Sequence, residues 1–197
     1  MDANRETVPV ELTDGAGPEN PLAKPGAAQP APQPLTVEER DAQTRAAIIV
    51  WANDLLTTLN PLCHYSEAGD RLSMYGMDPG DPRRYPITSD CSSSTAGLYK
   101  WAGADVAMLG PSPYTGSIVE AWTLIPEAQA KPADVVIFGP GTGQHAAVLL
   151  KPQGADWLTF NNGGPTGAPP SRVLLSETAS ILASMGFPGV RYYRSLL

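Results

Sequence analysis

The chain has 197 residues, 42% of them hydrophobic and 17% charged, with 21 prolines, 19 glycines and a formal net charge of −7. That length and apolar content suit one folded domain with a sizeable core plus connecting segments, not a disordered chain or a coiled coil. The negative balance argues against nucleic acid or an anionic membrane as a partner, and no run approaches the ~18 apolar residues that span a bilayer.

Residues 1–35 are poor in large hydrophobics and carry GPENPLAKPGAAQPAPQPL, a composition that predicts an extended arm or linker. MDANRETVPVELTDG has neither the basic lead nor the apolar core of a secretory signal. The folded domain is expected over 36–197. Thr36-Val-Glu-Glu39 reads as a capping box, and Ala47, Val50, Trp51, Leu55 and Leu59 follow at helical spacing, predicting a helix over 37–59 that Pro61 stops. Residues 60–90, rich in Gly, Pro and Asp, read as a long loop.

A second helix is expected over 91–102, with Asp90 as N-cap and Gly103 as its stop, and a short one around SIVEAWTLI. Strands follow. Ala133–Phe138 and His145–Lys151 flank the glycine-rich GPGTGQ as a hairpin, and Asp156–Asn161 continues it until NGGPTGAPP. A helix over 176–185 and a last strand at VRYYRSL complete an α+β order of helices followed by an antiparallel meander.

The chemistry-bearing residues are few. Cys63 and Cys91 are too few for a disulfide framework, so free thiols are expected. A cysteine is by default a buried filler. Cys91, however, falls on the first turn of a predicted helix, where free N–H groups and the helix dipole favour the thiolate. An imidazole would then act first as base and afterwards as acid to the leaving amine. His145, at the rim of a sheet, is the better candidate, with His64 a second in the preceding loop. A third group should orient the imidazole, and the end of the next strand offers Asn161 and Asn162. Metal ligation by Cys63, His64, Cys91 and His145 is the competing reading, but the adjacent Cys-His pair has no zinc-like spacing.

SDCSSSTAGLYKWAGA resembles the nucleophile segment of NlpC-type cell-wall peptidases and related CHAP-like amidases. KPADVVIFGPGTGQHAAVLLKP resembles their strand–turn–strand, DWLTFNNGGPTGAP the strand that follows, and HYSEAGDRLSMYG a Tyr-containing loop ahead of the cysteine. The likeness covers residues 45–197 and is greatest to the N-terminal peptidase modules of actinobacteriophage endolysins. It implies a papain-like fold, with the catalytic helix packed on an antiparallel sheet, and hydrolysis of an amide bond in the peptide of bacterial peptidoglycan. An endopeptidase is favoured over an N-acetylmuramoyl-L-alanine amidase. The resemblance casts Cys91 as nucleophile and His145 as base, with Tyr65, Asp90 and Ser92 supporting oxyanion and substrate.

Two departures stand out. CSSSTAG leaves a polar first turn, and an Asn occupies the third position where relatives often carry His. Matching LTFNNG to the phage pattern favours Asn162, and matching strand ends favours Asn161. No cofactor is implied. The implied settings are a phage virion tail, with residues 1–35 contacting other phage structural proteins, or the host cytoplasm before lysis. The alternative is a non-catalytic phage component that retains the scaffold.

Overall fold

A computed structural model of the protein describes residues 34–77, 86–164 and 168–195. The arm expected over residues 1–35 falls outside them, apart from Pro34 and Leu35.

Helix α1 (Val37–Leu56) begins at the expected capping box. Thr36 Oγ1 accepts from the Glu39 N–H at 3.2 Å, and the Glu39 carboxylate accepts from the Thr36 N–H at 2.8 Å. The helix ends sooner than position 59 because the Asn60 amide takes the Leu55 carbonyl at 3.2 Å and also bonds Pro170 O at 2.8 Å. The segment 60–90, expected to be a loop, contains short regular pieces. Strand β1 (Cys63–Tyr65), the single turn α2 (Ser73–Gly76) and strand β2 (Ile87–Ser89) occur in it, and β1 and β2 pair in parallel, Tyr65 opposite Ser89. Three-residue strands are too short to show a readable period, which is why the sequence reads as loop there.

Helix α3 (Cys91–Trp101) ends at Ala102, followed by Gly103 at φ 83°. After α4 (Thr115–Ala121) comes a six-stranded antiparallel sheet. Its strands are β3 (Thr123–Ile125), β4 (Val135–Phe138), β5 (His145–Gln153), β6 (Asp156–Gly163), β7 (Ala168–Leu174) and β8 (Val190–Arg194), in spatial order β3-β8-β4-β5-β6-β7. Helix α5 (Leu175–Ser184) precedes β8. Strand β7 was not expected, because APP reads as a turn. Its prolines are tolerated because β7 is the sheet's edge strand and need not donate on both sides. The α+β class expected from the sequence is thus the one observed.

The central strands are covered on both faces, which explains their unbroken apolar runs. On one face Val135, Ile137, Ala146, Val148 and Phe160 pack with Ile48, Ala52 and Leu55 of α1 and with Ala96, Leu98 and Tyr99 of α3. On the other, Val136, Phe138, Ala147 and Leu149 meet Leu175 and Leu182 of α5. Between Pro132 and β4 sits the fully buried carboxylate of Asp134. Arg45 of α1 donates to it at 2.8 Å, Arg194 of β8 at 2.6 Å and 3.0 Å, and the Lys131 N–H at 2.9 Å.

Candidate active site

The turn from β2 into α3 is built around Asp90. As N-cap it accepts from the Ser93 N–H at 2.7 Å, while the Ser93 hydroxyl accepts from the Asp90 N–H at 2.9 Å. The Ser92 hydroxyl donates to the same carboxylate oxygen at 2.9 Å, and Arg71 donates to the other at 2.9 Å. The polar first turn is therefore a capping device: the serines satisfy orphan helix donors and the cap's own carboxylate. Arg71 also bonds Pro113 O and Ser112 Oγ, each at 2.8 Å, fastening the 112–113 loop beside the same turn.

Cys91 is the first residue of α3 and is 9% exposed. Backbone N–H groups of Ala146 and Ser92 are directed at its sulfur, so the thiol lies against the chain immediately after His145. The helix N-terminus was expected to favour a thiolate, and here the structure differs. Burial, reinforced by the neighbouring Asp90 carboxylate, outweighs those two donors and pushes the thiol up to about 12. At neutral pH the Cys91 thiol is protonated and neutral.

His145 opens β5, 5% exposed, with its ring 5.7 Å from that of Phe138. Its Nε2 lies 2.8 Å from Asn161 Oδ1. The Asn161 amide is itself oriented: Nδ2 donates to Thr159 Oγ1 at 2.5 Å, and Thr159 Oγ1 donates to Val173 O at 2.7 Å. With Asn161 presenting its oxygen, Nε2 carries the proton, and the lone pair of the neutral ring is on Nδ1. Burial lowers the His145 pKa from its ordinary 6.5, against the opposing effects of Asn161 and Asp90. Between pH 6.5 and that lower value the unfolded chain binds a proton that the folded chain does not, so stability is fully present above pH 6.5 and declines below it. Urea midpoints at pH 7.5, 6.5 and 5.5 should show this decline, and His145→Gln should reduce it. An equal decline in the variant would remove His145 as its cause.

The two asparagines have different work. Ala147 of β5 pairs with Asn161 of β6, so Asn161 shares the face of Ala147 and of His145 two residues earlier. Asn162, the residue favoured by the phage pattern, falls on the opposite face. There its Nδ2 donates to Ser89 Oγ at 2.8 Å, Asp90 O at 3.1 Å and Ser89 O at 3.2 Å. Asn162 Oδ1 is buried without a hydrogen-bond partner.

Tyr65 is close enough to Cys91 for the two to interact electrostatically, but its hydroxyl donates to Glu67 Oε1 at 2.5 Å. Burial and Glu67 both raise its pKa, so it stays a phenol, and service to an oxyanion requires that O–H to turn from Glu67 toward substrate. Its ring rests on Gly163. A Cβ built there would lie 1.8 Å from a Tyr65 ring carbon, and φ is 90°, so only glycine fits. NNGG, which reads as a simple turn, seats this tyrosine. Gly163, Thr159 and Arg71 are contributors the sequence reading missed. Gly163 was hidden inside a turn signal, and the other two had no local signal at all.

Cys63 and Cys91 are both free thiols. Cys63 Sγ donates to Leu59 O at 3.3 Å, and among the described residues no group of three or more His, Cys, Asp or Glu side chains could hold a metal ion.

No family model matches the chain. It is 39% identical over 79 residues to the peptidoglycan endopeptidase RipB of Mycobacterium tuberculosis, covering 40% of this chain and 31% of that protein. The chain thus spans about a third of the length of the curated relatives it matches. Among solved structures it is similar to the P60 domain of an antigen from M. avium subspecies paratuberculosis, at 24% identity and a TM-score of 0.44, over 68% of this chain and 87% of that one.

Proposed function

We propose that the chain is a cysteine peptidase of the papain-like NlpC/P60 type that hydrolyses an amide bond in the peptide part of bacterial peptidoglycan. The observation that carries this reading is the junction of α3 and β5. Cys91 heads the helix with the Ala146 N–H on its sulfur, and the adjoining His145 is aligned by Asn161. The segment identical at 39% to a peptidoglycan endopeptidase supports the substrate class.

Because thiol and imidazole are both neutral at rest, the first step is general-base catalysis. The resting structure has no hydrogen bond between Cys91 Sγ and His145, so the step requires the imidazole and sulfur to close on each other. The Sγ–H proton then passes to His145 Nδ1 as sulfur bonds the scissile carbonyl carbon. Asn161 accepts from Nε2–H and stabilises the imidazolium as a dipole, without a countercharge. The imidazolium then gives its proton to the departing amine as the C–N bond breaks, leaving a thioester. Water, deprotonated by His145, hydrolyses that thioester and restores the thiol. The Cys91 backbone N–H and the Tyr65 hydroxyl, once released from Glu67, are the proposed oxyanion donors.

Mass spectrometry of peptidoglycan fragments tests the reading. New amine and carboxyl ends within the stem peptide are expected, and they should be absent with the Cys91→Ser variant. Fragments from the variant would remove Cys91 from the mechanism. Replacing the dipolar partner gives a second test. Asn161→Ala should lower kcat by roughly 10- to 100-fold, an order set by general acid–base contributions, and shift the acid limb of the pH–rate profile. An unchanged profile would detach Asn161 from the imidazole.

One observation favours a second reading, a non-catalytic scaffold: the thiol is buried and its pKa is about 12. Intact fragments with wild-type protein would select it. The finer setting, a phage-encoded lysin or virion component, is supported by the likeness of the cysteine and histidine segments to phage modules. Immunodetection of the chain in purified virions tests the virion arm of that proposal.

A further inference from the structure

Asn162 is the residue whose work the proposed chemistry leaves unexplained. It is 1% exposed, and all three of its donated hydrogen bonds go to the two residues before the nucleophile. Two of the acceptors are main-chain carbonyls, those of Ser89 and Asp90. The third is the hydroxyl of Ser89, itself 2% exposed. The Ser89 carbonyl also accepts from the Ser66 N–H at 3.2 Å and the Asp90 carbonyl from the Ser94 N–H at 3.0 Å. Asn162 therefore supplies a second hydrogen bond to each and is the side chain that ties both to β6. The Asp90 side chain is held separately by Arg71, Ser92 and the Ser93 N–H. Asp90 is therefore fixed at its carboxylate by α3 and the Arg71 segment, and at its carbonyl by β6.

We infer that Asn162 is the positioning residue for the nucleophile: it fastens the Ser89–Asp90 turn to β6 and so fixes where Cys91 stands relative to β5. The inference rests on the peptidase reading for its catalytic consequence, though not for the placement itself. Consecutive residues of one strand then serve the two halves of the site. Asn161 aligns the imidazole from one face, and Asn162 holds the cysteine turn from the other. A slip of β6 would disturb both together.

The test uses the full chain with Asn162→Ala and Asn162→Asp. The aspartate preserves volume but turns an acceptor toward two carbonyls, so it separates lost donation from a lost side chain. Two readouts are taken well below each variant's Tm. The first is alkylation of Cys91 and Cys63 by iodoacetamide at pH 8, followed separately by peptide mapping. The second is the rate on a soluble peptidoglycan stem peptide. If Asn162 holds the turn, Cys91 becomes more open to solvent and its alkylation rises about 10-fold or more, following the thiolate fraction as its pKa returns toward the ordinary range. Cys63 stays within twofold, and kcat falls about 10-fold or more with KM within twofold.

General loosening of the fold would raise both thiols together, and an unneeded side chain would change neither; each result overturns the inference. A wild-type chain that cleaves no stem peptide counts against the peptidase reading alone, because the contrast between Cys91 and Cys63 is read without hydrolysis.

Discussion

Cys91→Ala is expected to lower peptidoglycan hydrolysis to less than about one-thousandth of wild type, because removing a nucleophile eliminates the covalent route, whereas other losses only slow it. The protein should still fold. Cys91 is the first residue of α3, and the cap that starts the helix belongs to Asp90 and the serines. The deleted sulfur leaves a small void at the margin of the α1–α3 core, a change on the order of 1 kcal/mol. The expected pair of results is an unchanged far-ultraviolet circular dichroism spectrum and a silent assay of fragment release. Residual release above one-tenth of wild type would mean another group attacks the amide, and the roles given to His145 and Asn161 would fall with it.

The second large effect concerns stability. Asp134→Ala is expected to cost about 3–5 kcal/mol, the range found when one partner of a buried ion pair is removed. The carboxylate is fully buried between Arg45 and Arg194, so its loss leaves two guanidinium groups partly buried without their anion. The Lys131 N–H also loses its acceptor. For a chain of this size that corresponds to a fall in Tm of roughly 6–20 °C. Asp134→Asn keeps an acceptor oxygen and should cost less. Equal costs for the two variants would show that the charge accounts for the whole effect and the shape and acceptor oxygen for none of it. Without Arg45 the buried carboxylate still has Arg194 at 2.6 Å and the Lys131 N–H at 2.9 Å, so Arg45→Ala should be milder than the loss of the shared carboxylate.

Much of this fold was legible because its signals are local. The Thr36 and Asp90 caps, the Pro132 and Gly139 punctuation of β4, and the glycine turn before His145 act within a few residues. Cys91, His145 and the pair Asn161–Asn162 could be nominated for the same reason: each sits at the end of a readable element. What was not legible is tertiary. The choice between the two asparagines depends on the pairing of Ala147 with Asn161, which the bulge between Leu149 and Lys151 shifts and no motif announces. The neutral thiol depends on burial by segments distant in sequence, which overrides the local benefit of a helix N-terminus. Asp134 lies inside the Ala133–Phe138 run with no local sign of its role, and only the fold brings Arg45 and Arg194 to it.

The relay behind the imidazole ends on the main chain: His145 to Asn161, Asn161 to Thr159, Thr159 to the carbonyl of Val173. Every amino acid supplies a carbonyl, so mutational drift at position 173 can exchange side chains freely without touching the hydrogen bond that terminates the relay. Deleting a single residue from β7 is another matter, since it moves every carbonyl of the strand past Thr159. The far end of this site is thus tolerant of spelling and intolerant of length, and descendants of this chain would vary at 173 while keeping the spacing of β6 and β7.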